Sequence, residues 1–95
     1  MSSTPSSHDD LVARVCALVA DTLELPRHAR PIGPDTRLHG AGLGVDSLDA
    51  LRLVAELEET FDVTIDDPDL TPANFESVGS IVALIRRLTG NRGVA

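Results

Sequence analysis

A serine near the middle of the chain is the residue best placed to do chemistry. Ser47 follows the glycine-rich stretch Gly42-Leu43-Gly44-Val45-Asp46 and opens a helical pattern. A hydroxyl at the start of a helix can face solvent, and glycines beside it let another protein approach the backbone closely. Serine is also among the best residues for capping a helix. The position alone therefore leaves both a chemical and a purely structural role open.

The histidines do not combine with this serine into a catalytic or metal site. The three are spread over a tail and a loop without the spacing of metal ligands: His8, His28 and His39. A hydrolytic serine would lie in a Gly-x-Ser-x-Gly turn after a strand. Here Asp46 precedes Ser47, Leu48 follows it, and no strand is predicted before it. We expect no catalytic residue.

Two further groups of residues suggest a metal site or a reactive thiol, but each has a simpler structural interpretation. The aspartates of residues 62–69 lack the glycine and the terminal glutamate of a calcium-binding loop. The single cysteine, Cys16, lies next to Val15 on a predicted helix, where a small core residue fits well. We expect neither a bound metal nor a reactive thiol.

The elements that must position Ser47 are helices. Apolar residues recur at three- and four-residue spacing in three stretches, about 8–24, about 47–61 and about 77–88. A short helical turn is predicted near residues 72–75, with Thr71 as its N-cap and Pro72 as its first residue. Gly90 is placed to end the last helix. We predict an all-α fold, a small four-helix bundle of three main helices plus one short helix.

A long loop joins the first two helices. Residues 25–45 contain three prolines and four glycines, which are incompatible with a continuous helix. Loops of this length carry function or are held by apolar anchors. The candidate anchors are Ile32, Leu38 and Leu43. A chain of 95 residues makes one domain, which we assign to residues 8–89, with a disordered tail at 1–7 and a flexible C-terminal tail at 90–95.

Charge narrows the classes of partner. The net charge is −7, and nine acidic residues lie between Asp46 and Asp69 with only Arg52 opposing them. Nucleic acids and anionic membranes require a basic surface, so neither is expected as a partner. An acidic surface fits a basic protein partner. The first residues lack the features of a signal peptide, and no apolar run approaches the ~20 residues of a membrane span. We expect a cytoplasmic monomer.

The second helix has two faces when its residues are placed at 100° steps. The predicted buried face consists of Ala50, Leu53, Val54, Leu57 and Phe61. The opposite face consists of Leu48, Arg52, Ala55, Glu56 and Glu59. Leu48 is thus an apolar residue on a polar face. A lone exposed leucine is common and usually has no function; the alternative is a small contact patch of Leu48 and Ala55 with a charged rim, suited to transient docking.

The sequence around Ser47 resembles a known family. Gly44-Val45-Asp46-Ser47-Leu48 is similar to the Gly-x-Asp-Ser-Leu attachment motif of acyl carrier proteins. The likeness continues through Leu53-Val54-x-x-Leu57-Glu58-Glu59-x-Phe61-Asp62-Val63-x-Ile65 and Asn74-Phe75-x-Ser77-Val78-x-x-Ile81. It covers about residues 8–89. The pentapeptide is a weak signal by itself, but the flanking pattern in register makes it strong.

This resemblance implies a cofactor, a site and partners. A phosphopantetheinyl transferase would move 4′-phosphopantetheine from coenzyme A onto Ser47, with Asp46 helping to position the transferase and its metal. The arm would then carry acyl groups as thioesters. Partner enzymes would be an acyl- or aminoacyl-loading enzyme and a ketosynthase, acyltransferase or condensing enzyme. They would recognise Leu48, Asp49, Arg52, Ala55, Glu56 and Glu59.

Two departures from the family pattern bear on the pathway. Arg52 occupies a position that is commonly acidic in fatty-acid carriers, which favours polyketide or other specialised biosynthesis over housekeeping fatty acid synthesis. Peptidyl carriers usually have two glycines before the residue that precedes the serine, and Leu43-Gly44 stands there instead. An aminoacyl cargo stays open, as does a helical interaction module that lost its attachment. A small enzyme is the least favoured reading.

Overall fold

The described residues of the protein form three α-helices and three short 3-10 turns. The computed structural model describes residues 7–29, 32–38 and 44–93. The helices are α1 (Ser7–Thr22), α2 (Ser47–Phe61) and α3 (Val78–Gly93), and the 3-10 turns are Arg27–Ala29, Asp67–Asp69 and Ala73–Phe75. Within the described ranges there is no strand, only an isolated antiparallel bridge between Arg37 and Ser77. The predicted all-α fold is confirmed.

Helix α1 ends in a left-handed residue. Glu24 has a φ of 53°, and the N–H of Leu25 donates to the carbonyl of Ala20 at 3.0 Å. This is the hydrogen bond of a Schellman cap, which satisfies a carbonyl left without a helical partner. The helix therefore stops two residues earlier than the predicted residue 24. Pro26, which has no N–H to donate, follows the cap.

The core is mostly aliphatic, with Phe61 and Phe75 also buried in it, and lies where the three helices meet. Its fully buried side chains come from every helix and from the loop: Val15, Val19, Leu38, Leu53, Leu57, Val78, Ile81, Leu84 and Ile85. Burying each such side chain contributes about 1.5–3 kcal/mol. Leu38 is the buried loop anchor, and Ile32 packs partly buried against the same cluster. Leu43, the third predicted anchor, lies outside the described residues.

The loop between α1 and α2 is fastened to the start of α3. The N–H groups of Val78 and Gly79 donate to the carbonyls of Thr36 and Pro34 at 3.0 and 2.8 Å. The first N–H groups of a helix have no partner within it, so these loop carbonyls satisfy two of them. A Cβ on Gly79 would lie 2.9 Å from the carbonyl oxygen of Pro34. Only glycine allows the loop to approach this closely.

Leu38 joins the starts of two helices. Its N–H donates to the carbonyl of Glu76 at 3.0 Å, just before α3. Its carbonyl accepts the N–H of Val45 at 2.7 Å, two residues before α2. Because Leu38 is also fully buried, the residue that leads into Ser47 is fixed to the core.

The short turn and the end of α3 differ in detail from the prediction. The 3-10 turn begins at Ala73, so Pro72 precedes it, although the Thr71 hydroxyl accepts the Asn74 N–H at 3.2 Å as a cap would. Gly90 does not end α3, which continues to Gly93. A glycine inside a helix costs only about 1 kcal/mol, and no proline follows to stop the helix.

Candidate functional site

Asp46, not Ser47, caps helix α2. The backbone of Asp46 is extended, and its Oδ1 accepts the N–H of Asp49 at 2.9 Å. Ser47 is the first helical residue and is exposed. No residue that the structure describes hydrogen-bonds to the Ser47 hydroxyl. The sequence left a capping role open for Ser47, but its neighbour Asp46 caps the helix instead.

Ser77 provides the contrast within the same molecule. It also stands at the start of a helix, but its Oγ accepts the N–H of Ser80 at 3.2 Å and lies 3.1 Å from the Ser80 hydroxyl. Ser77 is partly buried, whereas Ser47 is exposed. Two serines at helix starts thus differ in what their hydroxyls can do, because Ser77 caps its helix and Ser47 does not.

The two residues before Asp46 give the backbone leading to Ser47 a left-handed glycine and a buried anchor. Gly44 has a φ of +69°, a conformation that favours glycine, and it is exposed with open space around it. Val45 is buried and is held by the hydrogen bond to Leu38. Ser47 therefore projects from a fixed turn whose outer side is open to another protein.

The face of α2 that was predicted to be polar is exposed. Leu48, Arg52, Ala55, Glu56 and Glu59 all lie in solvent, while Asp49 is half-buried. Leu48 is 67% exposed. We call these six residues the α2 face. The sequence brought them together on one helix, and the structure keeps five of them accessible.

Leu51 is a surface residue that the sequence reasoning missed. It is 63% exposed and lies one helical step from Leu48, at i+3. The spacing of the two leucines was the available signal. With Ala55 at i+4 from Leu51, they form an apolar strip along α2 rather than a single exposed leucine, which favours a contact patch over a chance exposure.

Arg52 is held between two carboxylates. Its guanidinium lies 3.7 Å from Asp49 Oδ1 on the same helix and 3.7 Å from Glu24 Oε2 at the end of α1. Half-exposed pairs of this kind contribute about 0–1 kcal/mol each. They place the one basic side chain of residues 46–69 between two carboxylates beside the middle of α2.

A shallow groove runs beside Ser47. It has a volume of about 360 Å³ and lies between α2 and the turn before α3. Its lining is mostly apolar and includes Ser47, Ala50, Leu51, Val54, Leu70, Thr71, Pro72 and Phe75. The groove offers an apolar surface next to the exposed hydroxyl.

Comparison with known proteins gives the family. The pattern of the family described as "Phosphopantetheine attachment site" matches residues 13–85. An acyl carrier protein from Onion yellows phytoplasma is 45% identical over 76 residues, which is 80% of this chain and 93% of the relative. The chain belongs to the acyl carrier protein family. An acyl carrier protein of Prochlorococcus marinus is 32% identical over 88% of this chain and 99% of its own length. "Aminoacyl carrier protein 1" of Bradyrhizobium diazoefficiens is 32% identical over 80% of this chain and 82% of its own length.

The prosthetic group of acyl carrier proteins is 4′-phosphopantetheine, and the residues around Ser47 fit it. The hydroxyl is exposed, as a phosphodiester linkage requires. The N-terminus of α2 has a positive dipole end, which favours negative charge, and the Asp46 carboxylate already accepts the N–H of Asp49 there. Acyl carrier proteins act together with biosynthetic enzymes and a phosphopantetheinyl transferase.

The other reactive groups stand apart from this arrangement. Within the described part of the chain, no three His, Cys, Asp or Glu side chains lie close enough to hold a metal ion. Burial raises the pKa of the Cys16 thiol, so the thiol keeps its proton at neutral pH. Among the described residues, no helix has the length and apolar character needed to cross a membrane.

Proposed function

We propose that this acyl carrier protein bears its 4′-phosphopantetheine on Ser47 and delivers acyl groups to enzymes that act in trans. The observation that carries the proposal is the exposed Ser47 hydroxyl, released from capping because Asp46 accepts the Asp49 N–H. The arm would supply a terminal thiol that holds the acyl group as a thioester. The chain itself supplies placement and recognition, and it carries out no catalytic step.

Attachment makes a simple demand on the chain. Ser47 Oγ forms a bond to the phosphorus of the pantetheine phosphate in coenzyme A, the pyrophosphate bond breaks, and adenosine 3′,5′-bisphosphate leaves. The hydroxyl proton passes to a base of the transferase. Asp46 is exposed and directly precedes Ser47 in the chain, which supports a role in positioning the transferase and its metal. The hydrogen bond from Val45 to Leu38 anchors the backbone two residues before Ser47.

Partner enzymes would dock on the α2 face. The leucine strip supplies a small apolar contact, and Glu56 and Glu59 supply exposed negative charge beside it. A small interface steered by charge gives fast association and fast release. A carrier that serves several enzymes in turn needs both properties.

The pathway we favour is polyketide or other specialised biosynthesis. Arg52 supports it, because it interrupts the acidic surface that a fatty-acid carrier commonly presents. A discrete aminoacyl carrier is the second candidate, and the similarity to the Bradyrhizobium relative favours it. Mass spectrometry of the thioester on the protein from its native host distinguishes an acyl from an aminoacyl cargo.

Attachment is tested by incubating the protein with coenzyme A and a broad-specificity phosphopantetheinyl transferase. Intact-mass measurement should find one added phosphopantetheinyl group. Ser47→Ala should gain none, whereas the control Ser80→Ala should gain one, since Ser80 lies at the start of α3. Modification of Ser47→Ala, or none of the wild type, would contradict the proposal.

Docking is tested by charge reversal. Glu56→Lys with Glu59→Lys should lower the kcat/KM of the transferase by about tenfold at low salt and leave stability nearly unchanged. Asp66→Lys with Asp67→Lys makes the same change in net charge at two exposed residues outside α2 and serves as the control. Equal rates for the two double variants would rule out the α2 face as the docking site.

A further inference from the structure

Helix α3 is the basic part of an acidic protein. The fifteen acidic residues all lie at or before Glu76, and residues 77–95 contain three arginines and no acidic residue. Two of these arginines, Arg86 and Arg87, are exposed on α3. The charge of α3 is therefore opposite in sign to that of residues 46–69, which contain nine acidic residues and one arginine.

The positive charge of Arg87 is not offset by a carboxylate. Its guanidinium donates to the side-chain oxygen of Asn74 at 3.3 Å, and this amide is neutral. In the part of the chain that the structure describes, no carboxylate pairs with Arg87, in contrast to Arg37 and Arg52. Arginine has five N–H donors, so Arg87 keeps both its charge and most of its donors available to a ligand.

A shallow groove lies along the same face of α3. It has a volume of about 410 Å³, compared with about 360 Å³ for the groove beside Ser47. We call it the α3 groove, and its described lining residues are three or four positions apart on one helix: Gly79, Val82, Ala83, Arg86 and Arg87. Val82 is buried, whereas Ala83 is exposed. The groove thus has an apolar half without large exposed side chains next to a pair of guanidinium groups.

We propose that the α3 groove is a second docking surface, and that its occupant is an acidic segment of a partner protein. Carboxylates of that segment pair with Arg86 and Arg87, because the planar arginine fork matches a carboxylate in a bidentate manner. A small apolar side chain between those carboxylates lies over Ala83. Charge complementarity and the shape of the groove together favour this occupant.

Two other occupants fit the α3 groove less well. Nucleic acid carries charge along its whole length and needs an extended basic surface, whereas the basic surface here is one helix face of a protein with a net charge of −7. A second copy of this chain would offer its acidic residues 46–69 to the α3 groove of the first. Those are different surfaces, so copies would associate head to tail without closing into a dimer.

The α3 groove is separate from the attachment site. It shares no lining residue with the groove beside Ser47 and none with the α2 face. The α2 face is acidic and suits basic partners, while the α3 groove is basic and suits acidic ones. One protein can therefore hold the carrier through α3 while another uses Ser47. The inference goes beyond the proposed function, since binding at α3 does not depend on attachment at Ser47.

The test is an NMR titration of the ¹⁵N-labelled protein at a salt concentration of about 0.15 M, where long-range attraction is screened. The probe is a short peptide of repeated Glu-Glu-Leu-Ala, and its control has glutamine in place of every glutamate. The acidic peptide should shift the amide signals of Gly79, Ala83, Arg86 and Arg87 more than those of α2, with a dissociation constant of about 1 mM or below. The glutamine peptide should leave all of them unchanged.

Three variants then separate charge from shape. Arg86→Ala with Arg87→Ala should weaken binding about tenfold, as expected for the loss of two exposed pairs. Arg27→Ala with Arg37→Ala removes the same charge from exposed residues outside α3 and should stay within about twofold. Ala83→Gln fills the groove without a change in charge and should weaken binding about fivefold. Circular dichroism verifies that each variant keeps its helix content.

Several results would overturn the proposal. These are an absence of α3 shifts with the acidic peptide, equal shifts with the glutamine peptide, or equal losses in the two arginine double variants. Unchanged affinity of Ala83→Gln would show attraction by charge without a groove. An oligothymidine strand that shifts the same amides as strongly would show a general polyanion site. Signals of α3 that move when the free protein is diluted would show that a second copy occupies the groove.

Discussion

Removing the Asp46 side chain should weaken the start of α2 by a defined amount. The Oδ1 of Asp46 accepts the Asp49 N–H at 2.9 Å, and replacing a capping residue by alanine typically costs about 1 kcal/mol. Loss of a negative charge at a helix N-terminus adds about 0.3–1 kcal/mol. Asp46→Ala should therefore lower the free energy of unfolding by about 1.5 kcal/mol, and Tm by roughly 6–12 °C for a domain of this size.

Two further variants separate the capping contribution from the charge contribution. Asp46→Asn removes the same charge and keeps a capping oxygen, so the difference between it and Asp46→Ala isolates the cap at about 1 kcal/mol. Asp66 precedes the Asp67–Asp69 turn as its N-cap but makes no side-chain capping bond. Asp66→Ala is the matched control and should cost less than about 0.5 kcal/mol.

Urea unfolding followed by circular dichroism measures these free energies. The linear dependence on denaturant also reports whether the slope, and so the exposed surface, stays constant. If Asp46→Ala is as stable as Asp46→Asn, capping by Asp46 is refuted as the reason why the Ser47 hydroxyl makes no capping hydrogen bond. So would an Asp66→Ala variant that loses as much as Asp46→Ala.

Three further outcomes follow from the packing and from the pKa of the one thiol. Leu53→Ala should cost about 2–5 kcal/mol because Leu53 is fully buried, while Leu51→Ala on the same helix should cost under about 0.5 kcal/mol. Glu58 Oε2 accepts a backbone N–H of the loop after α2 at 2.8 Å, so Glu58→Ala should lower the free energy of unfolding by about 1–2 kcal/mol. Glu59→Ala, at the exposed neighbour, should lower it by almost nothing. Unfolding curves measure both the leucine variants and the glutamate variants. Burial raises the pKa of Cys16, so stability should be full below the pKa of the unfolded chain and fall as pH rises through the folded value. Cys16→Ala should remove that alkaline loss in urea titrations, and an unchanged pH profile would contradict it.

The local physics of α2 explains why its bounds could be predicted from sequence. Its start follows a glycine and a good capping residue, and its five buried-face residues repeat at helical spacing. The end of α3 was harder, because Gly90 is a typical terminator only where the next residues favour leaving the helix. Asn91 and Arg92 are compatible with a helix, so the pattern carried no stop signal.

Exposure along α2 could be predicted for a similar reason. Helical spacing predicted that Leu48, Arg52, Ala55, Glu56 and Glu59 share one exposed face, because one helix fixes the angles between its own residues. The pairing of Arg52 with Glu24 could not be predicted, since it depends on how α1 ends. Leu51 was missed because it lies at the boundary between the two faces, where periodicity alone does not decide exposure and the neighbouring turn does.

The hydrogen bond from the Val45 N–H to the Leu38 carbonyl separates the positioning of Ser47 from the choice of residues between Leu38 and Val45. It closes the chain on itself just before the attachment serine, with Leu38 rooted in the interior. The number and type of residues between Leu38 and Val45 therefore have little effect on the direction of the Ser47 hydroxyl. Descendants of this carrier could lengthen or rewrite that stretch to suit a new enzyme and still offer the same oxygen to the same transferase.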